Sequence, residues 1–307
     1  MAVFPVAAGV SSHSGTYTPE VWSGKLLVKF YTATVFTDIS NTDYEGEIKS
    51  MGDTVHIRTK LDITIRDYNI GQKLIRERPE PSVVDLLIDK GKYYSFVVNK
   101  VQQHQSDIPF IEAWSDDAGE QMAIKIDLGL LADVYASASS YNKGATAGYR
   151  TSSINLGASG APLGLDKTNI LDFLVDCGTV LDEYDIPQSQ RWVILPPIFC
   201  GMIKKSDLKD ASLSGDGTSI LRNGKMGMID RFTLYSSNQI ATTTDGSETV
   251  HNVMFGHKCA ITFASQLVEN RTLPNPDDFG DIQEGLQVYG YKVIKAQGLG
   301  HAYVYKM

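Results

Sequence analysis

Cysteine is scarce: Cys177, Cys200 and Cys259 are the only three in 307 residues, odd in number and far apart. That excludes a disulfide framework, matches no paired zinc-ligand spacing and points to a reducing compartment. No run of about 18 apolar residues is present to span a bilayer. The apolar start, Met1–Gly9, lacks the Lys/Arg n-region of a secretory signal and is broken by Pro5 and Gly9, so no export signal is read. Excess basic charge is also missing. The net charge is −8, so the release of counterions from phosphates that drives most nucleic-acid affinity is not available to the chain as a whole.

Catalytic motifs are absent too. There is no phosphate-binding Gly-x-x-x-x-Gly-Lys-Ser/Thr loop, no Gly-x-Ser-x-Gly elbow and no His-Glu-x-x-His helix. His13, His56, His104, His251, His257 and His301 lie in separate segments, so a metal triad would need them to converge in the fold. Asp277, Asp278 and Asp281 depart from a calcium-loop spacing and read as a solvated acidic turn. Arg191 and Arg231 read as surface or strand-end charges. No catalytic, cofactor-binding or metal-binding residue is assigned, and the chain is not expected to be an enzyme.

What is present is a folded chain: 42% of residues are hydrophobic, with 27 glycines and 11 prolines. Residues 1–19 contain no Lys, Arg, Asp or Glu, and Val3, Phe4, Val6 and Val10 would gain by packing. The segment reads either as a frayed terminus or as an arm laid on a neighbouring subunit. Pro19, Val21, Trp22, Leu26, Leu27 and Phe30 predict a helix over 19–36.

Val55, Ile57, Thr59, Leu61, Ile63 and Ile65 then alternate with polar residues out to Arg66. A period of two over that length predicts a projecting ribbon of about 40 Å, returning through Gln72–Arg78. Its apolar face must rest either on its own body or on another subunit. Val83–Ile88 and Tyr93–Val101, joined by Asp89-Lys90-Gly91, predict a hairpin. Phe110, Ile111, Trp114, Ala118, Met122, Ile126, Leu130 and Val134 predict a long helix over 108–138, interrupted by Gly119 and Gly129. The Ser/Gly/Ala/Thr-rich stretch 136–163 reads as an interdomain linker. A second region alternates helix (Ile170, Leu174, Cys177, Leu181) and strand (Trp192–Leu195), with an exposed excursion over 206–224. Strand-forming residues return near Val288–Ile294 and Tyr303–Tyr305.

Across nearly its whole length the chain resembles the major capsid proteins of tailed bacteriophages of the Hong Kong 97 type. The resemblance is carried by the segments Gly52–Arg58, Asp62–Tyr68 and Gly227–Asn238 and by the order of parts. It implies an α+β fold with an N-terminal arm and helix (1–38) and an extended loop (39–81). A peripheral domain (82–163 and 264–307) would carry a spine helix (108–138), with an axial domain inserted at 164–263. It further implies self-assembly, as pentamers and hexamers, into an icosahedral shell around double-stranded DNA that is held without sequence-specific contacts. The extended loop would contact neighbours through Val55, Ile57, Leu61, Ile63, Ile65 and Arg66, and the arm through Val3, Phe4, Val6 and Val10.

The chain reaches its arm without the segment that relatives with a fused scaffold carry, so a separate scaffolding protein is expected. A portal at one vertex is expected as well; a decoration protein is left open, and no membrane partner is implied. The location would be the virion, assembled in the bacterial host cytoplasm. Some relatives cross-link a loop lysine to a neighbour, but Lys60 and Lys73 have no acidic residue marking either as reactive, so no cross-link is expected. A tail-tube or adhesin-like virion protein, and less so a hydrolase, are the alternatives.

Overall fold

The computed structural model describes residues 34–43, 54–58, 63–78, 83–105, 110–206 and 227–307. The arm with Val3, Phe4, Val6 and Val10, Leu61, all of the expected excursion 206–224 but Ser206, and all but the end of the expected helix 19–36 lie outside the described residues.

The chain's most buried strand organises the fold. In β5 (Arg191–Leu195) all five residues are buried, as expected of a strand covered on both faces. Because side chains alternate across a strand, Val193 and Leu195 enter one core and Trp192 and Ile194 another. β5 lies parallel to β7 (Phe232–Ser236) and antiparallel to β9 (Glu248–His257). The full sheet runs β4 (Leu163–Leu165), β12 (Leu299–Lys306), β9, β5, β7, β6 (Met228–Ile229), with β8 (Thr242–Asp245) also on β9.

On one face of this sheet, α4 (Ile170–Asp182) buries Ile170, Phe173, Leu174, Cys177 and Leu181, a helical stripe, beside α5 (Pro197–Lys205). On the other face sits the C-terminal half of α3 (Phe110–Asp133), through Ile126, Leu130 and Leu131. The same core takes Val35 and Ile39 at the one-turn helix α1 (Phe36–Ile39).

A three-stranded sheet continues from this second core. β10 (Ile261–Pro274) and β11 (Gly280–Val293) pair antiparallel from Ile261↔Val293 to Pro274↔Asp281, with a bulge between Ser265 and Leu267. β11 also pairs with β3 (Lys90–Asn99). A short helix, α2 (Lys100–Gln105), follows β3. Against Ala264, a two-stranded sheet of β1 (Thr54–Arg58) and β2 (Val83–Leu87) buries Val55, Ile57, Leu86 and, just past β2, Ile88.

Several expectations are corrected. Val83–Ile88 and Tyr93–Val101 do not form a hairpin: β2 pairs with β1, and β3 with β11. Gly91 does not take the positive φ that the short turn needs, and ten register pairs with β11 outweigh the local alternative. Of the strand expected to reach Arg66, Thr54–Arg58 form β1, while the described residues 63–66 and the expected return path Gln72–Arg78 join no ladder.

Residues 136–163 are not a plain linker. Ala147 and Leu156 are fully buried in the first core, and the Leu156 carbonyl accepts the Tyr303 N–H at 2.8 Å. Small residues allow this approach: a Cβ on Gly157, whose φ is +80°, would stand 2.0 Å from the Tyr303 carbonyl oxygen.

β12 joins the seven-stranded sheet, not the sheet of β10 and β11, so 264–307 is divided between the two. Its Ala302 and Val304 fill the first core, where the apolar area is. Arg191 is not a surface charge. Its side chain is fully buried, bonding Asp182 at 2.6 Å and the carbonyls of Gly178, Ile186 and Pro187, and Arg231 reaches the other Asp182 oxygen at 3.0 Å.

Helix α3 ends at Asp133, short of residue 138, and passes into a 3-10 turn, Val134–Ser137. A Cβ on Gly119 or Gly129 would meet nothing within 4 Å, so neither glycine marks a close approach.

Candidate assembly surfaces

Every residue from Ile63 to Arg78 is exposed. Ile63, Ile65, Tyr68, Ile70, Leu74 and Ile75 are among them, with Ile70 99% and Ile65 90% accessible. Six large apolar side chains on sixteen consecutive exposed residues are a concentration that water penalises, by about 1.5–3 kcal/mol per side chain relative to full burial.

The loop nevertheless has a defined shape. Its tip is a turn in which the Gln72 N–H donates to the Asn69 carbonyl at 3.0 Å and Gly71 adopts φ +89°. Its two arms are tied by Arg66, which donates to Glu77, and by the Thr64 N–H, 3.3 Å from the same carboxylate. The hydrogen bond from Arg66 holds the Glu77 carboxyl below the usual carboxylate range. A loop shaped this way can present its apolar side chains to a partner with part of the ordering cost already met.

The six loop residues expected to contact neighbours therefore separate. Val55 and Ile57 are buried in the subunit's own third core and offer nothing outward. Ile63, Ile65 and Arg66 lie in the exposed loop, and Leu61 lies outside the described residues. Tyr68, within the segment the resemblance assigns to the loop, and Ile70, Leu74 and Ile75, which the period-two pattern does not reach, are exposed beside Ile63 and Ile65.

Aromatic rings lie on both faces of β3, Tyr94 and Phe96 on the side of α3 and Tyr93 on the opposite, exposed side. Tyr94 stacks on Phe96 at 6.0 Å, and the Phe96 ring meets Trp114 of α3 edge-on at 5.7 Å. Tyr93 and, at the β10–β11 turn, Phe279 are 80% and 83% exposed. The acidic residues beside Phe279 are engaged with the subunit itself: Asp278 accepts from Asn99 at 2.7 Å and Asp281 pairs with Lys100 at 3.3 Å.

Among the described residues no group of three or more His, Cys, Asp or Glu is placed to hold a metal ion, and no helix is long and apolar enough to cross a membrane. His56 faces Asp85 across β1 and β2 at 2.6 Å on an exposed surface. His301 is pushed down to about 4 by burial and sits 3.0 Å from the Asn252 amide oxygen.

No family model and no curated protein matches the sequence. Solved structures do. A chain in a structure of Mycobacterium phage Che8 aligns with a TM-score of 0.76 and 26% identity, over 93% of this chain and 97% of that one. A chain in the capsid structure of the cyanophage P-SCSP1u aligns with a TM-score of 0.73 and 13% identity, over 95% and 93%. One in the mature capsid of bacteriophage PhiM1 gives 0.68 and 15%, over 94% and 92%.

The chain carries the phage capsid fold. Helices and sheets are those of this α+β class along nearly the whole chain. The exposed apolar loop and the exposed rings of Tyr93 and Phe279 are the largest uncovered apolar groups described above.

Proposed function

We propose that this chain is the major capsid protein of a tailed phage, and that copies of it self-assemble into the shell enclosing the double-stranded DNA genome. The observation that carries the reading is the capsid fold over more than nine-tenths of the chain. It is supported by a tethered loop whose apolar side chains the subunit itself leaves uncovered.

In this reading the seven-stranded sheet with α4 and α5 is the axial domain, the three-stranded sheet with α3 as spine is the peripheral domain, and residues 63–78 belong to the extended loop. Ile63, Ile65 and Arg66, together with Tyr68, Ile70, Leu74 and Ile75, contact a neighbouring copy, and Val3, Phe4, Val6 and Val10 of the arm do the same. Pentamers and hexamers close the shell with a separate scaffolding protein and a portal at one vertex. The net acidic chain meets packaged DNA without sequence-specific contacts, which leaves the DNA free to slide during filling. The protein has no catalytic role, resides in the virion and is assembled in the host cytoplasm.

Electron microscopy of the protein expressed with and without its scaffolding partner is the test. Closed shells of uniform size are expected with the partner; dispersed single subunits at high concentration under both conditions would overturn the reading.

A further inference from the structure

Asp127 is a carboxylate in the wrong solvent. It lies on α3 with no accessible surface, next to the fully buried Ile126 and one turn from Leu130 and Leu131. Its Oδ1 accepts the backbone N–H groups of Val35 at 3.3 Å and Phe36 at 3.1 Å, 92 and 91 residues away in sequence. Its Oδ2 is buried with no partner. The elements packed on α3 are α1, β3, β11 and the Val134–Ser137 turn, and their titratable or charged residues include Asp38, Lys90, Lys92, Tyr289, Tyr291, Lys292 and Tyr135, none of which is among the causes of the Asp127 shift. Lys125 and Asp133 lie on α3 itself. No ion pair among the described residues includes Asp127. An unpaired buried charge is costly, and protonation is the one change that relieves it without moving the carboxyl.

We propose that Asp127 is a protonation-controlled latch that docks Val35–Ile39 on α3. Protonation weakens the oxygen as an acceptor for the two N–H groups, whose bonds favour the charged form, but it removes a charge that burial disfavours more, so the docked, water-excluded state favours the neutral form. Burial pushes the carboxyl up to about 6 from an ordinary 3.8. A raised carboxyl means that docking takes up a proton: the docked state strengthens as pH falls through about 6 and gains nothing further below the ordinary carboxyl range. About a hundredfold in the docking equilibrium is the upper limit, reached if undocking returns the carboxyl fully to water. The latch is a property of the single subunit; any use of it within a shell rests on the capsid reading.

Amide hydrogen exchange on the full-length, unassembled chain at pH 7.5 and 5, corrected for intrinsic rates, reads the latch directly. Protection at Ile39 and Ser40, whose N–H groups bond Val35 and Phe36 carbonyls, is expected to rise by up to about a hundredfold at the lower pH relative to α4 amides. In Asp127→Asn, which mimics the neutral form, the dependence should vanish. A flat wild-type profile, or a variant that keeps the wild-type slope, overturns the proposal. Should the variant not fold, a carboxyl-carbon titration of wild-type Asp127 decides: a midpoint near 6 is expected and one near 4 overturns it. Failure to form shells with the latch intact counts against the capsid reading alone.

Discussion

The strongest test of the division between β1 and the exposed loop is a matched pair of substitutions, Ile57→Asp and Ile65→Asp. The two residues belong to one alternating sequence pattern yet differ in exposure from 6% to 90%. Ile57 is packed with Val55, Leu86, Ile88 and Ala264. Replacing it removes about 1.5–3 kcal/mol of burial and leaves an unpaired carboxyl in an apolar cluster, at a further cost of about 2–3 kcal/mol even when partly relieved by protonation. A total of about 5 kcal/mol approaches the whole stability of a typical domain.

Ile65 touches little in its own subunit, so Ile65→Asp should change subunit stability by less than about 0.5 kcal/mol. If a neighbour covers the loop, that same variant places a charge in every loop contact of the shell, and assembly should fail. Urea unfolding of unassembled subunits measures the first effect; sedimentation and microscopy of particles measure the second. Ile65→Asp destabilising the subunit as much as Ile57→Asp, or assembling like wild type, would refute the reasoning.

Arg191→Met should cost about 3 kcal/mol in urea unfolding, because it strips a buried guanidinium from Asp182 and from three carbonyls at the end of α4. Gly157→Ala should destabilise strongly through collision with the Tyr303 carbonyl, whereas Gly119→Ala, in an open helical position, should raise stability by about 0.5–1 kcal/mol; thermal unfolding compares them. His301 and Asp127 oppose each other in acid. The lowered His301 favours the folded state above about 6.5, and that contribution is lost as pH falls toward 4; the raised Asp127 adds stability over a window from about 6 down to 3.8. His251 and His257, also lowered by burial, lose stability in acid as well, so the test is relative: between pH 7 and 4.5, His301→Gln should lose less unfolding free energy than wild type and Asp127→Asn more.

Patterns set by residues close in the chain were legible without coordinates. The 3.6-residue stripe of α4, the apolar run of β5 and the long series of α3 each define an element locally, since a helix or strand must bury one face or both whatever it meets. The resemblance to phage capsid proteins rested on the order of such elements, and the fold agrees with it.

Partner choice was not legible. The turn signal at Asp89-Lys90-Gly91 argued for a hairpin, but ladder energy is summed over whole strands, and β11 offered β3 more of it. The alternation from Val55 to Ile65 could not say where its apolar face goes, because periodicity records that a face is apolar and not what lies opposite. Asp127 and Arg191 look like ordinary charges in sequence, and only the surrounding cores make one an unpaired buried carboxylate and the other a buried hub. Sequence alone determined the elements and their order, since those depend on neighbours within a few residues. The tertiary structure decided which strands pair, which charges lose water and which apolar loop stays uncovered, since those depend on groups that only folding brings together.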